Sequence, residues 1–385
     1  MAAPEPPPEP PYAILAELTH RCPLACPYCS NPLELESRSR ELDTATWKRI
    51  LDEAAEIGVL HVHFSGGEPC ARPDLEALVE HATQAGLYTN LITSAVTLDR
   101  RRLDRLKAAG LQHVQISFQD TSADENDRVA GFPGAFERKR RAARMVVEAG
   151  LALTVNAVVH RHNIDHVDAF FDLALDLGAG RIEVANVQYY GWGLLNRGAL
   201  MPTREQLVRM DAAVRARLPE LTGRLVVDYV VPDYYAHRPK ACMGGWGRRF
   251  LNITPSGKVL PCHAAETIPG LTFETVHDRP LGAIWADSPA FERFRGTGWM
   301  PSPCRECDRR EVDWGGCRCQ ALALTGDAAA TDPVCDLSKD HGKVAELAER
   351  EATRGDVPFV YRGHASRDGS NCANHCPVPS GSPVS

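Results

Sequence analysis

The sequence predicts a parallel α/β fold followed by a cysteine-rich second half. Helix-compatible stretches closed by glycine recur along the first half, at Gly58, Gly86, Gly110, Gly150 and Gly178, and a strand-like run follows each. The thirteen cysteines are segregated, four before residue 71, none from there to 241 and nine from Cys242 onward. Glycine, proline and tryptophan crowd around the later cysteines, as in Gly244-Gly245-Trp246-Gly247 and Asp313-Trp314-Gly315-Gly316.

The strand candidates are Tyr12–Leu18, Val59–Ser65, Tyr88–Thr93, His113–Phe118, Leu153–Val159 and Ile182–Val187. Thr44–Ile57, Leu75–Ala85, Asp99–Ala109, Ala135–Ala149 and Ile164–Leu177 have helical length and apolar spacing between them. Glycine just past a helix accepts the left-handed conformation that closes it. Several strands are apolar on both faces, which predicts a sheet covered on both sides. Six strands alternating with helices give either an open doubly wound sheet or a barrel, and in both the chemistry sits at the carboxyl ends of the strands. Thr203–Leu218 reads as a connecting helix and Leu225–Val231 as a further strand.

At 385 residues, with 44% hydrophobic and 24% charged, the composition is that of a soluble globular protein of about two domains. No apolar run approaches the roughly 20 residues that span a bilayer. Met1–Pro11 is rich in proline and glutamate, lacks the apolar stretch of a signal peptide and predicts a disordered lead-in and a cytoplasmic protein. The formal net charge of -7 argues against a general nucleic-acid binder. Disulfides are disfavoured in the cytoplasm, so the cysteines point to metal ligation.

Cys22, Cys26 and Cys29 form C-x3-C-x2-C in the loop after the first strand. Three soft thiolates suit an iron–sulfur cubane, and three ligands for four irons leave one iron open to a small molecule. A zinc ion completed by His20 or His63 is the alternative. Ser65-Gly66-Gly67-Glu68-Pro69 closes the second strand and Thr93-Ser94 the third, while Cys70 fits no ligand spacing and reads as a packing residue. In the second half, Cys242, Cys262, Cys304, Cys307, Cys317, Cys319 and Cys335 lie in a turn-rich region with little expected regular core, where metal would supply folding energy. Two zinc sites, with His263 as an eighth ligand, would also use them. The tail from Arg354, with Cys372 and Cys376 amid serine, glycine and proline, reads as disordered and is given no role.

The run from Ala16 to Cys29, AELTHRCPLACPYC, resembles the radical S-adenosylmethionine (SAM) superfamily. The resemblance implies a partial (β/α)6 TIM-like barrel whose open iron chelates the amino and carboxylate groups of SAM. It makes Gly66-Gly67-Glu68-Pro69 the motif that receives the amino group, with Glu68 accepting from the ammonium, and Ser117 a ribose contact. The later cysteines resemble the SPASM extension, which carries two auxiliary iron–sulfur clusters. Cys304-x2-Cys307-x5-Asp313-x3-Cys317 matches its pattern with aspartate in place of the third cysteine. By resemblance one cluster takes Cys242, Cys262 and Cys317 with Cys319 as fourth ligand, and the other Cys304, Cys307, Asp313 and Cys335. Each is 4Fe–4S or 2Fe–2S. Asp313 as a mere turn cap, with water or Cys319 as the ligand, is the rival.

Pro27-Tyr28-Cys29-Ser30-Asn31-Pro32-Leu33, Gln188-Tyr189-Tyr190-Gly191-Trp192 and the run Cys304–Cys319 resemble the PqqA peptide cyclase family of pyrroloquinoline quinone biosynthesis, over about Tyr12 to Ala345. That implies a glutamate–tyrosine carbon–carbon crosslink made within the precursor peptide PqqA, with PqqD presenting the peptide and a flavodoxin- or ferredoxin-type reductant. Another SPASM peptide-modifying enzyme, such as a sulfatase maturase or a thioether-forming enzyme, stays open, as does a non-catalytic iron–sulfur or zinc protein. The implied organisation is a lead-in at 1–11, the barrel core at 12–200, a linking helix and strand at 201–237, the auxiliary-cluster domain at 238–345 and a largely disordered tail at 346–385.

Overall fold

The computed structural model describes residues 8–230 and 232–362. Nine strands form one sheet: β1 (Ala13–Glu17), β2 (His61–Ser65), β3 (Tyr88–Thr93), β4 (His113–Phe118), β5 (Ala152–Val159), β6 (Arg181–Asn186), β7 (Val226–Tyr229), β8 (Phe250–Ile253) and β9 (Val259–Leu260). Their order in space is β7-β6-β5-β4-β3-β2-β1-β8-β9, all neighbours parallel except β8 and β9. The strictly sequential run from β1 to β7 decides between the two expected architectures. A doubly wound sheet reverses its order, whereas right-handed crossovers in constant sequence place every helix on one face. The result is an open, incomplete barrel.

The helices of this half are α1 (Thr44–Glu56), α2 (Leu75–Gln84), α3 (Arg100–Ala108), α4 (Ala123–Ala130), α5 (Ala135–Glu148) and α6 (Val167–Asp176). In α1 the buried residues Trp47, Ile50, Leu51 and Ala54 fall on one stripe, and the Asp43 carboxylate caps its start by accepting from Thr46 N–H. Successive helices pack side by side, α1 on α2, α2 on α3 and α3 on α5. All five predicted closing glycines have positive φ.

The expectation of strands apolar on both faces holds for β1, which is buried throughout, and fails for β2 and β4. β2 buries Val62 and Phe64 and β4 buries Val114, Ile116 and Phe118 against the helices, while His63, Gln115, Ser117 and Asn156 stay half-buried on the other face. That inner face is polar because it surrounds a cavity rather than a second helical layer. The sheet also runs past six strands. After the short helices α7 (Gly191–Leu195) and α8 (Arg197–Leu200), α9 (Arg204–Leu221) leads into β7, which pairs with β6, so the expected linker is a seventh strand–helix unit. A capping box of Thr203 and Gln206 starts α9.

The cysteine-rich half has more regular structure than its composition suggests. β8 inserts into the barrel sheet beside β1, and α10 (Leu281–Asp287), α11 (Pro289–Glu292), α12 (Arg310–Asp313), α13 (Arg318–Thr325) and α14 (His341–Ala352) follow. Trp246, Leu260, Ala265, Ile268 and Phe294 form an apolar core of its own there. At both ends of the described chain, segments expected to be disordered are packed. Pro11 is buried and Glu9 O accepts from Trp285 Nε1 at 3.0 Å. Past α14, residues 359–362 lie on the first cysteine loop. Cys372 and Cys376 lie outside the described residues. No helix is long and apolar enough to cross a membrane among the described residues.

Candidate iron–sulfur and cofactor site

β1 ends at Glu17, and the chain then crosses the carboxyl ends of the strands as the loop bearing Cys22, Cys26 and Cys29. These cysteines line one cavity of about 300 Å³ with Gly66 and Gly67 after β2, Thr93 and Ser94 at the end of β3, Ser117 on β4, Asn156 on β5 and Ala185 on β6. Five neighbouring strands share a cavity only because the sheet curves around it.

Two glycines seat the loop. Gly67 N–H donates to Thr19 O at 2.5 Å and Glu68 N–H to Arg21 O at 2.7 Å. A Cβ on Gly66 would lie 2.3 Å from Thr19 O, and one on Gly67 2.5 Å from Arg21 O and 2.6 Å from His20 O. The close approach these glycines permit is therefore to the cysteine loop's own backbone.

Glu68, expected to accept from a ligand's ammonium, is engaged by the protein itself. Its buried carboxylate accepts from Thr93 Oγ1 at 2.6 Å, Cys70 N at 2.9 Å, Ser94 N at 2.8 Å and Ser94 Oγ at 2.5 Å. Four donors occupy a carboxylate's capacity. Glu68 thus fixes the end of β3, and Thr93 and Ser94 line the cavity in its place. Cys70 packs in the barrel core, as its isolation in sequence predicts.

Burial pushes all three loop thiols up, Cys26 to about 11, and the field of Glu68 adds to the effect at Cys22. A neutral, buried thiol loses its proton when it takes a metal. Asn156 Oδ1 and Tyr190 Oη are buried in the wall of this cavity without a hydrogen-bond partner among the described residues. Three soft donors and orphaned polar atoms around one space fit an iron–sulfur cluster carrying a polar small molecule. The zinc alternative loses its fourth ligand. His20 Nδ1 accepts from Glu36 N–H at 2.9 Å while its Nε2 faces Glu17, and His63 pairs with Asn90 at 3.0 Å.

The later cysteines fall into two groups in space. The thiols of Cys242, Cys262, Cys317 and Cys319 contact one another in a ring, Cys242 and Cys319 each touching both Cys262 and Cys317. Cys304, Cys307, Asp313 and Cys335 line a separate small cavity. Asp313 ends α12, and its Oδ1 also accepts from Gly315 N–H at 3.1 Å, so it is both turn cap and cavity wall. Cys319 belongs to the first set. His263, the eighth ligand of the two-zinc alternative, bonds to Glu17 at 2.9 Å instead. Among the described residues no group of three or more histidine, cysteine, aspartate or glutamate side chains is set for a single metal ion. Thiolates of an iron–sulfur cluster attach to different irons and need no common centre.

A second cavity, of about 280 Å³, joins the two regions. The ring of four cysteines and His263 form one wall, Tyr234, Tyr235 and Glu183 another. Residues 185–188 and Tyr190 line both this cavity and the one at the first cysteine loop. Sequence reasoning missed Tyr190, Asn156 and Arg362 as parts of the site. For Tyr190 the aromatic run Tyr189-Tyr190 was the available signal.

The profile of the Radical SAM superfamily matches residues 16–174, and that of an iron–sulfur cluster-binding domain, SPASM, matches residues 242–308. The PqqA peptide cyclase of Methylocella silvestris is 58% identical over 356 residues, covering 92% of this chain and 95% of the relative. The chain belongs to the PqqA peptide cyclase family. The member from Gluconobacter oxydans is 59% identical over 355 residues, 92% of this chain and 99% of its own. Among solved structures, Streptococcus suis SuiB bound to S-adenosylmethionine superposes with a TM-score of 0.71 at 20% identity, covering 86% of this chain and 78% of that one. Native anSMEcpe with bound AdoMet gives 0.62 at 15% identity, covering 88% and 100%. These likenesses establish the fold, a radical SAM barrel with a SPASM region. A chain of this family is a radical SAM enzyme.

Proposed function

We propose that this enzyme joins a glutamate side-chain carbon to a tyrosine ring carbon within the peptide PqqA, presented by PqqD and driven by a flavodoxin- or ferredoxin-type reductant. The family membership carries the reading. Cys22, Cys26 and Cys29 would hold a 4Fe–4S cluster, with Gly66, Gly67, Ser94 and Ser117 around its SAM. When bound, that pair supplies the electron and the radical that takes hydrogen from an unactivated carbon. Cys242, Cys262, Cys317 and Cys319 would hold one auxiliary cluster and Cys304, Cys307, Asp313 and Cys335 the other.

The protein's own part is placement and exclusion of water. Glu68 fixes Thr93 and Ser94, and Gly66 and Gly67 seat the cysteine loop, so both sides of the cavity wall are tied to the barrel. Forming a carbon–carbon bond from two C–H bonds requires removal of two hydrogens in all, the second as an electron and a proton. The ring of cysteines in the wall of the adjoining cavity, where an electron-accepting cluster would be held, supports this reading, because residues 185–188 and Tyr190 line both cavities.

The test is anaerobic incubation of reconstituted enzyme with PqqA, PqqD, reductant and SAM, followed by mass analysis of the peptide. A product lighter by two hydrogens, with no backbone fragments separating the glutamate and tyrosine, supports the cyclase. The same mass loss with normal fragmentation between those residues would contradict it.

A further inference from the structure

Residues 359–362 cross the loop that carries Cys22, Cys26 and Cys29. Arg362 N–H donates to Ala25 O at 2.9 Å, its Nη1 to His20 O at 3.0 Å, and its Nη2 to Cys22 O and Leu24 O at 3.2 Å each. The segment is anchored elsewhere too. Asn196 accepts from Val360 N–H at 2.7 Å and donates to Val360 O at 2.8 Å and to Pro27 O at 2.9 Å, and so binds the strap and the cysteine loop together. Tyr361 Oη donates to Arg128 O at 2.9 Å, and the Arg128 guanidinium lies 4.8 Å over the Phe359 ring.

The Arg362 side chain is 2% exposed and lines the same cavity as the three thiols. Its side-chain partners here are neutral carbonyls, which orient a guanidinium without cancelling its charge. A buried charge left in that state is costly unless a counter-charge sits beside it. Three thiolates outweigh the charge of a cubane core, so the assembly is anionic and becomes more so on reduction. The other charges whose fields reach the thiols are the buried Lys139 ammonium and the carboxylates of Glu68 and Glu17. Lys139 is held by Ser117 O at 2.9 Å and by Gln119.

We propose that Arg362 is a positioning residue for the first cluster. The strap carries a buried guanidinium to the cubane, where its charge favours the reduced state and its fork holds the cysteine loop by three carbonyls. The proposal rests on the reading that Cys22, Cys26 and Cys29 carry the SAM-binding cluster.

The test uses full-length, anaerobically reconstituted wild type, Arg362→Gln and Arg362→Lys, titrated with reductant and followed by electron paramagnetic resonance without peptide. SAM perturbs the signal of the cluster it binds and so separates it from the auxiliary clusters. Arg362→Gln is expected to move that midpoint to lower potential, and Arg362→Lys to restore most of the shift, because lysine keeps the charge and loses the fork. Equal potentials in wild type and a fully loaded Arg362→Gln would overturn the proposal. Where the glutamine variant loads iron poorly, the lysine variant decides. Loading near the wild-type potential supports the charge, and a lowered potential or a second failure to load refutes it. Absence of any SAM-dependent signal in wild type would instead sink the assignment of the three cysteines.

Discussion

Gly67→Ala should disable the site without touching a thiol. Its Cβ would stand 2.5 Å from Arg21 O and 2.6 Å from His20 O. Relief to an ordinary contact near 3.4 Å needs the cysteine loop to retreat by about 0.9 Å, since neither carbonyl can rotate away independently of its peptide. That motion stretches Glu68 N–H to Arg21 O from 2.7 Å past bonding range, and weakens Gly67 N–H to Thr19 O, which starts at 2.5 Å. One lost and one weakened bond, together about 1–2 kcal/mol, plus overpacking of about 1–3 kcal/mol, total roughly 2–5 kcal/mol, or a melting temperature lower by roughly 5–10 °C. A displacement of nearly 1 Å between reacting groups costs on the order of a hundredfold in rate. The assay is 5′-deoxyadenosine formation with dithionite and SAM, alongside iron content and thermal unfolding. Gly180→Ala is the control, because a Cβ there meets nothing within 4 Å. A Gly67→Ala enzyme within twofold of wild-type rate and as stable as Gly180→Ala would refute the reasoning.

Three further outcomes follow from the geometry. Asp313→Ala should change the spectrum of one auxiliary cluster, and Asp313→Cys should restore a full cluster with thiolate character; Mössbauer spectroscopy unaltered by the alanine would leave Asp313 a structural role, through its bond to Gly315 N–H and its ion pair with Arg309. Asn196→Ala removes bonds to Val360 and Pro27 from a buried position and should cost about 2–4 kcal/mol, read as a lower unfolding midpoint. Burial opposes ionisation of Glu17, yet its bonds and charge interactions with His20 and His263 prevail and hold its carboxyl down at about 2. The folded state thus favours the carboxylate, a stabilisation of about 3 kcal/mol present above the unfolded pKa near 4.5 and lost as pH falls toward 2. The stability gap between wild type and Glu17→Gln should therefore narrow over that window in urea unfolding; a constant gap would contradict it.

The strand–helix units were legible because each helix ends on a glycine whose positive φ the backbone requires, so Gly58, Gly86, Gly110, Gly150 and Gly178 marked the boundaries within a few residues. The two groups of later cysteines were legible because their sequence spacing already sorted them, and the fold brings Cys242, Cys262, Cys317 and Cys319 together and lines a second small cavity with Cys304, Cys307, Asp313 and Cys335. Other features left no such mark. The polar inner face of β4 depends on curvature, and His113, Gln115 and Ser117 alternate with buried residues as any half-exposed strand would. Arg362 acts on main-chain carbonyls, which every residue carries, so nothing in the cysteine loop's sequence announces its partner. Glu68's partners within the protein were not legible, because the hydroxyls and the amide of Thr93 and Ser94 that engage it are brought there by the fold from the next strand.

The insertion of β8 beside β1 bears on how the chain is made. β1 pairs with β2 on one side early in synthesis, but its other edge waits for Phe250–Ile253. At about 5–20 residues per second, a ribosome needs on the order of ten to fifty seconds to extend from one to the other. Throughout that interval a buried apolar strand, Ala13-Ile14-Leu15-Ala16, offers unpaired amides next to the cysteine loop. An exposed edge of this kind recruits other strands. Overproduced protein should therefore aggregate through its nascent amino-terminal half, and weaker induction, which keeps fewer nascent chains present at once, should raise the soluble yield more than added iron does.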